Sequence, residues 1–98
     1  MTSKVCVVGS SNIDQIAYVD STPSDGETVF GKEYKMGFGG KGANQAVMSG
    51  IMGAETYMIT CLGDDVYADM TIDNYKKSGI NVDFIQRVSG SSGVAPIW

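Results

Sequence analysis

The chain has 98 residues, about one small domain and short for a complete α/β enzyme. Its 43% apolar and 18% charged residues and its 13 glycines describe a folded chain, which excludes a disordered tail or a fibrous repeat. A net charge of −4, with seven Lys and Arg, excludes a broad basic surface, so neither nucleic acid nor an anionic membrane is an expected partner.

The first element is a strand over Lys4 to Gly9 (KVCVVG), a β-branched run ended by glycine that reads as buried and parallel. Its apolar core, Val5 to Val8, is too short for a signal-peptide core or a membrane span, which predicts a cytoplasmic protein. Cys6 and Cys61 lie in strand-like runs without a C-x-x-C pair, and the sequence has no histidine. Two buried free thiols, and no zinc, are expected.

After the strand comes a polar turn, SSNID. Residues 15–20 (QIAYVD) alternate, and STPSDG is a turn signal, so a hairpin begins here. ETVFGKEYKMGFG continues the alternation of a small antiparallel sheet with one wet face. From Gly42 the period changes: Ala43, Ala46, Val47, Gly50 and Ile51 form one stripe of an amphipathic helix, stopped by Gly53.

Residues 56–63 (TYMITCLG) read as a second buried strand. Residues 64–79 read as a second helix, with acids in its first turn, lysines in its last and a glycine stop. Its stripe, Tyr67, Thr71, Asn74 and Tyr75, is weakly apolar. VDFIQRV and GVAPIW read as two more strands around SGSSG. The sum is an α/β sheet with a small β extension between first strand and first helix. The run still reads as strand at Trp98, so the chain is expected to be part of a longer one.

The stretch GFGGKGANQA, residues 37–46, carries the chemistry. Gly37, Gly39 and Gly42 fit G-x-G-x-x-G, with Asp64 some twenty residues on, the dinucleotide-binding pattern. That pattern needs a buried strand running into the first glycine, and GKEYKM is polar at alternate positions. A P-loop fits less well, because Gly42 stands where Ser or Thr must hold magnesium and Lys35 replaces the first glycine.

A third reading is that the glycines let backbone approach a ligand while the helix start offers N–H groups, with Lys41 and Asn44 pointing donors at it. The alternative is local: Asn44 capping backbone and Lys41 merely solvated. SSNID also follows the carboxyl end of a parallel strand, where open α/β sheets bind ligands. Asn12 and Asp14 share a direction if the chain stays extended there. Asn12, Asp14, Lys41 and Asn44 around one pocket would suit a polyol, although Asp14 could also be a turn-forming residue.

GSSNID, GETVFG, GFGGKGANQAV and CLGDD, in this order and spacing, resemble the N-terminal third of the ribokinase-type (PfkB) sugar kinase family. The resemblance covers essentially all 98 residues. GGKGANQA is similar to the ribose-specific branch rather than to fructokinase or adenosine kinase relatives. The family usually has glycine where this chain has Ala68, which bears on the tightness of the second helix's start.

The resemblance implies a partial ribokinase-like three-layer fold, with residues 1–98 the N-terminal part of one domain and 15–38 a lid hairpin through which a homodimer can form. It implies that Asn12 and Asp14 bind ribose hydroxyls, with Ile13 between them. Gly39, Gly40, Lys41, Gly42, Ala43 and Asn44 would hold the sugar from the other side. The implied reaction moves the γ-phosphoryl group of Mg-ATP to O5 of D-ribose, with Mg2+ and a K+ activator.

The ATP site, both cation sites and the general-base aspartate belong to the family's C-terminal part. No D-x-x-G-A-G-D stretch occurs here, so no catalytic or metal-ligating residue is assigned to this chain. The alternatives are a non-catalytic module that folds, binds sugar or dimerises, another sugar or nucleoside kinase of the family, and half of a dinucleotide-binding oxidoreductase.

Overall fold

The computed structural model, which describes residues 2–98, has three small sheets and two helices. Strand β1 (Lys4–Val8) pairs in parallel with β4 (Glu55–Ile59), with Val7 opposite Met58. Helix α1 (Lys41–Ile51) covers one face of this pair. Val7, Ala43, Ala46, Met58, Tyr75 and Ile80 form the buried cluster, with Val5, Val47, Val82 and Ile85 packed against it.

The α1 stripe read from Ala43, Ala46, Val47 and Gly50 faces this core, whereas Ile51 is exposed. Gly50 serves contact: a Cβ there would lie 2.6 Å from Ile80 Cδ1. Gly53 follows the helix at φ 95°, a conformation that favours glycine as a stop.

The second sheet has the order β3-β2-β7. Strand β2 (Asn12–Tyr18) pairs antiparallel with β3 (Glu33–Gly39) and in parallel with β7 (Gly93–Ile97). The turn expected at SSNID is therefore confined to its first two residues, and Asn12, Ile13 and Asp14 are strand. Strict alternation places Asn12, Asp14 and Gly39 on one face and Ile13, Gln15 and Phe38 on the other. Helix α2 (Val66–Lys77) lies on the Ile13 side, where Gln15 Nε2 donates to the Tyr67 hydroxyl at 2.9 Å.

Helix α2 has the expected termini. Asp65 caps it by accepting from the Ala68 N–H at 3.0 Å, Lys76 and Lys77 occupy its last turn, and Gly79 follows with φ 76°. Ala68 is fully buried at the helix start. Of the weakly apolar stripe, Thr71 and Tyr75 are buried with Ala68.

Three expectations need correction. The run 56–63 is two strands, β4 and β5 (Cys61–Leu62), because at Thr60 the chain leaves β1 and takes β6 (Gln86–Arg87) as its partner. Within VDFIQRV only Gln86 and Arg87 are strand, while Val82 and Ile85 pack against the core through a turn. Cys6 and Cys61 are free but exposed. Cys6 projects from the face of β1 opposite α1, as do Lys4 and Val8, so a continuous apolar run here has one wet side.

Candidate sugar site at the end of the second sheet

The carboxyl end of β1 leads through Gly9, Ser10 and Ser11 into β2, and the start of α1 packs directly on this turn. A Cβ on Gly42 would lie 2.8 Å from the Gly9 carbonyl carbon, and one on Gly40 would lie 2.5 Å from the Ser10 oxygen. Gly40 has φ 103°, a left-handed conformation that glycine supplies. The Ser10 carbonyl accepts from the Ala43 N–H at 3.1 Å, so this helix-start donor, read as open to a ligand, is occupied by protein.

Asn12 and Asp14 share one face of β2, and Asn12 Nδ2 donates to Asp14 Oδ1 at 2.8 Å. Gly39 lies opposite Asn12 in β3, beneath the carboxylate: a Cβ there would sit 2.6 Å from Asp14 Oδ2. The glycine therefore makes room for the carboxylate, as well as for anything bound to it. Three of the residues singled out from sequence thus meet in one place.

The others divide. Ile13 is fully buried on the opposite face, so its side chain is core. Gly42 and Ala43 are buried in the contact between α1 and the body. Lys41 and Asn44 are exposed on the first turn of α1.

A pocket of about 430 Å³ opens beside this arrangement. Its walls are Phe38, Val47 and Met48, with Thr71, Asn74 and Tyr75 from α2, and Asn12, Gly39, Ala43 and Asn44 border it. Asp14 is not among its lining residues, and Phe38 lies on the Ile13 side of the sheet. The pocket therefore lies mainly behind the Asn12 and Asp14 face. Nothing in the sequence marks the α2 wall as a site, although Thr71, Asn74 and Tyr75 fall on one helical stripe.

Just before β7, Asp65 Oδ2 accepts from the Ser92 N–H at 2.7 Å and Asp65 Oδ1 from the Ser92 hydroxyl at 2.8 Å. These bonds, from the Ser92 backbone first and its hydroxyl second, hold the Asp65 carboxyl below its ordinary value. Ser92 in turn accepts from the Gly63 N–H at 3.0 Å. The next residue, Gly93, pairs with Asn12, so the CLGDD turn fixes β7 beside the candidate site.

Among the described residues no three His, Cys, Asp or Glu side chains group as a metal-holding set. No helix among them is long and apolar enough to cross a membrane.

Comparison with known proteins assigns the chain to a class. A family model described as pfkB family carbohydrate kinase matches residues 2–97. The chain belongs to this family of carbohydrate kinases. It is 44% identical over 95 residues to a deoxyribokinase of Salmonella typhi, covering 96% of this chain and 31% of that protein. It is also 44% identical over 98 residues to a ribokinase of Dictyostelium discoideum, covering 99% of this chain and 31% of the relative. Among solved structures, Arabidopsis thaliana ribokinase complexed with ribose and ATP is similar with a TM-score of 0.88 at 30% identity, over 98% of this chain and 32% of that one. The chain thus spans about a third of the length of these relatives.

The partial ribokinase-like α/β fold read from the sequence is the fold observed.

Proposed function

We propose that the protein carrying this chain is a pentose kinase that phosphorylates D-ribose at O5 with Mg-ATP. The observation that carries the proposal is the Asn12–Asp14 pair seated over Gly39 beside the start of α1. The Asn12 bond engages Asp14 Oδ1 and fixes both side chains, leaving Asp14 Oδ2 and Asn12 Oδ1 to accept from vicinal hydroxyls. Lys41 and Asn44 supply donors from the first turn of α1, and Gly40 keeps the backbone close. A ligand lacking one of these hydroxyls would leave a polar partner unpaired, which is how such a site discriminates.

Under this reading residues 15–38, with their continuation to Asn12 and Gly39, act as a lid that excludes water from the sugar. Two lids would join in a homodimer, and the protein would work in the cytoplasm. Mg-ATP supplies the phosphoryl group, and K+ activates. Their sites lie outside these residues, as does the general base, and Asp14 only holds the sugar. A second reading, 2-deoxyribose as the substrate, is favoured by the 44% identity to a deoxyribokinase.

The test is sugar-dependent ADP release by the full-length protein with ribose and 2-deoxyribose in parallel. Preference for ribose supports the proposal, and preference for the deoxy sugar replaces it with the second reading.

A further inference from the structure

The residue before Asn12 turns its side chain inward. Ser11 is buried, its Oγ donates to Thr60 Oγ1 at 3.3 Å, and it bonds the hydroxyl of Tyr75. With the single Ser11 proton directed at Thr60, the Tyr75 O–H is the donor to Ser11. Three hydroxyls from three parts of the fold therefore converge: the β1–β2 turn, the break between β4 and β5, and helix α2.

Tyr75 is 1% exposed, and phenylalanine would fill the same volume without a buried hydroxyl to satisfy. The partner of that hydroxyl, Ser11, comes from elsewhere in the chain and sits one residue before Asn12. On its other side the same turn rests on α1, through Ser10 and the Ala43 N–H. The turn is thus held between two helices, and its outgoing residue is Asn12.

We propose that Tyr75 is a positioning residue for the sugar site: acting through Ser11, it sets the backbone from which Asn12 and Asp14 reach the sugar. The proposal rests on the pentose-kinase reading for its kinetic consequence but not for its structural one. Tyr75 does not bind the sugar itself, so its loss should change the sugar's affinity and leave the nucleotide's alone.

The experiment compares Tyr75→Phe, Ser11→Ala and the double variant with wild type, all in the full-length protein. Each is read by steady-state kinetics and by amide hydrogen exchange of residues 10–14. The expected result is a KM for D-ribose raised about fivefold in Tyr75→Phe, the size of one lost buried hydrogen bond. The KM for ATP and kcat should stay within about twofold, exchange in 10–14 should quicken, and the double variant should be no worse than the worse single one.

A wild-type ribose KM and unchanged exchange in Tyr75→Phe would overturn the proposal. So would additive losses in the double variant, or an equal effect on ATP, which a merely structural role would give. If wild type turned over no pentose, the pentose-kinase reading would fall, and the exchange data would still decide whether Tyr75 sets the turn.

Discussion

The carboxylate of Asp14 occupies the space that a side chain on Gly39 would need, 2.6 Å from one oxygen and 2.7 Å from the other. This glycine is required by its neighbour across the sheet. Gly39→Ala should therefore push Asp14 off Asn12 and raise the KM for sugar by about tenfold or more, the scale of one charge-assisted hydrogen bond. Kinetics on ribose check this, and an alanine variant with wild-type KM would place the sugar elsewhere.

Removing the carboxylate should have a larger effect. Asp14→Ala is expected to weaken sugar binding about 10- to 100-fold, as charged hydrogen bonds contribute roughly 1.5–3 kcal/mol each. Thermal stability should change little, because Asp14 is a part-buried strand residue bonded only to Asn12 on its own face. Titration calorimetry with ribose measures the first effect and a melting curve the second.

The glycine at the start of α1 has a different task. Gly42 packs on Gly9 backbone to backbone, and the 2.8 Å a Cβ would have from the Gly9 carbon is too close for any side chain. Gly42→Ala should destabilise the protein by about 1–3 kcal/mol, the usual range for overpacking. Denaturant unfolding reads this directly, and an unchanged midpoint would show that α1 can move off β1 freely.

Acid should loosen the clamp between α2 and β7. The folded-state value of Asp65 lies below the ordinary 3.8, so its contribution is complete above pH 3.8 and is lost as pH falls through the folded value. Asp65→Asn should lower stability at neutral pH and flatten its fall with pH below 3.8. Melting temperatures of the two proteins across that window check both parts, and parallel curves would contradict the assignment.

Much of this was legible in the sequence where the signal is local. The period change at Gly42, the caps of α2 and the shared direction of Asn12 and Asp14 each follow from residues close together in the chain. What stayed hidden depends on long-range pairing. Nothing near GVAPIW says that it lies parallel to β2, because that partner is some eighty residues earlier and was itself read as half turn. Cys6 looked buried because apolar runs do not report which face a helix covers. Tyr75 looks like one member of a weak stripe, since the partner of its hydroxyl, Ser11, lies 64 residues earlier in the β1–β2 turn.

The central claim is that GGKGANQA and the Asn12–Asp14 pair hold a pentose for phosphorylation. It is tested most directly by sugar-dependent ADP release from the full-length protein with Mg-ATP and potassium, across ribose, 2-deoxyribose, fructose and adenosine. The account predicts turnover on ribose, abolished or strongly weakened in Asp14→Ala. Turnover on fructose or adenosine alone, or on no sugar at all, would contradict it.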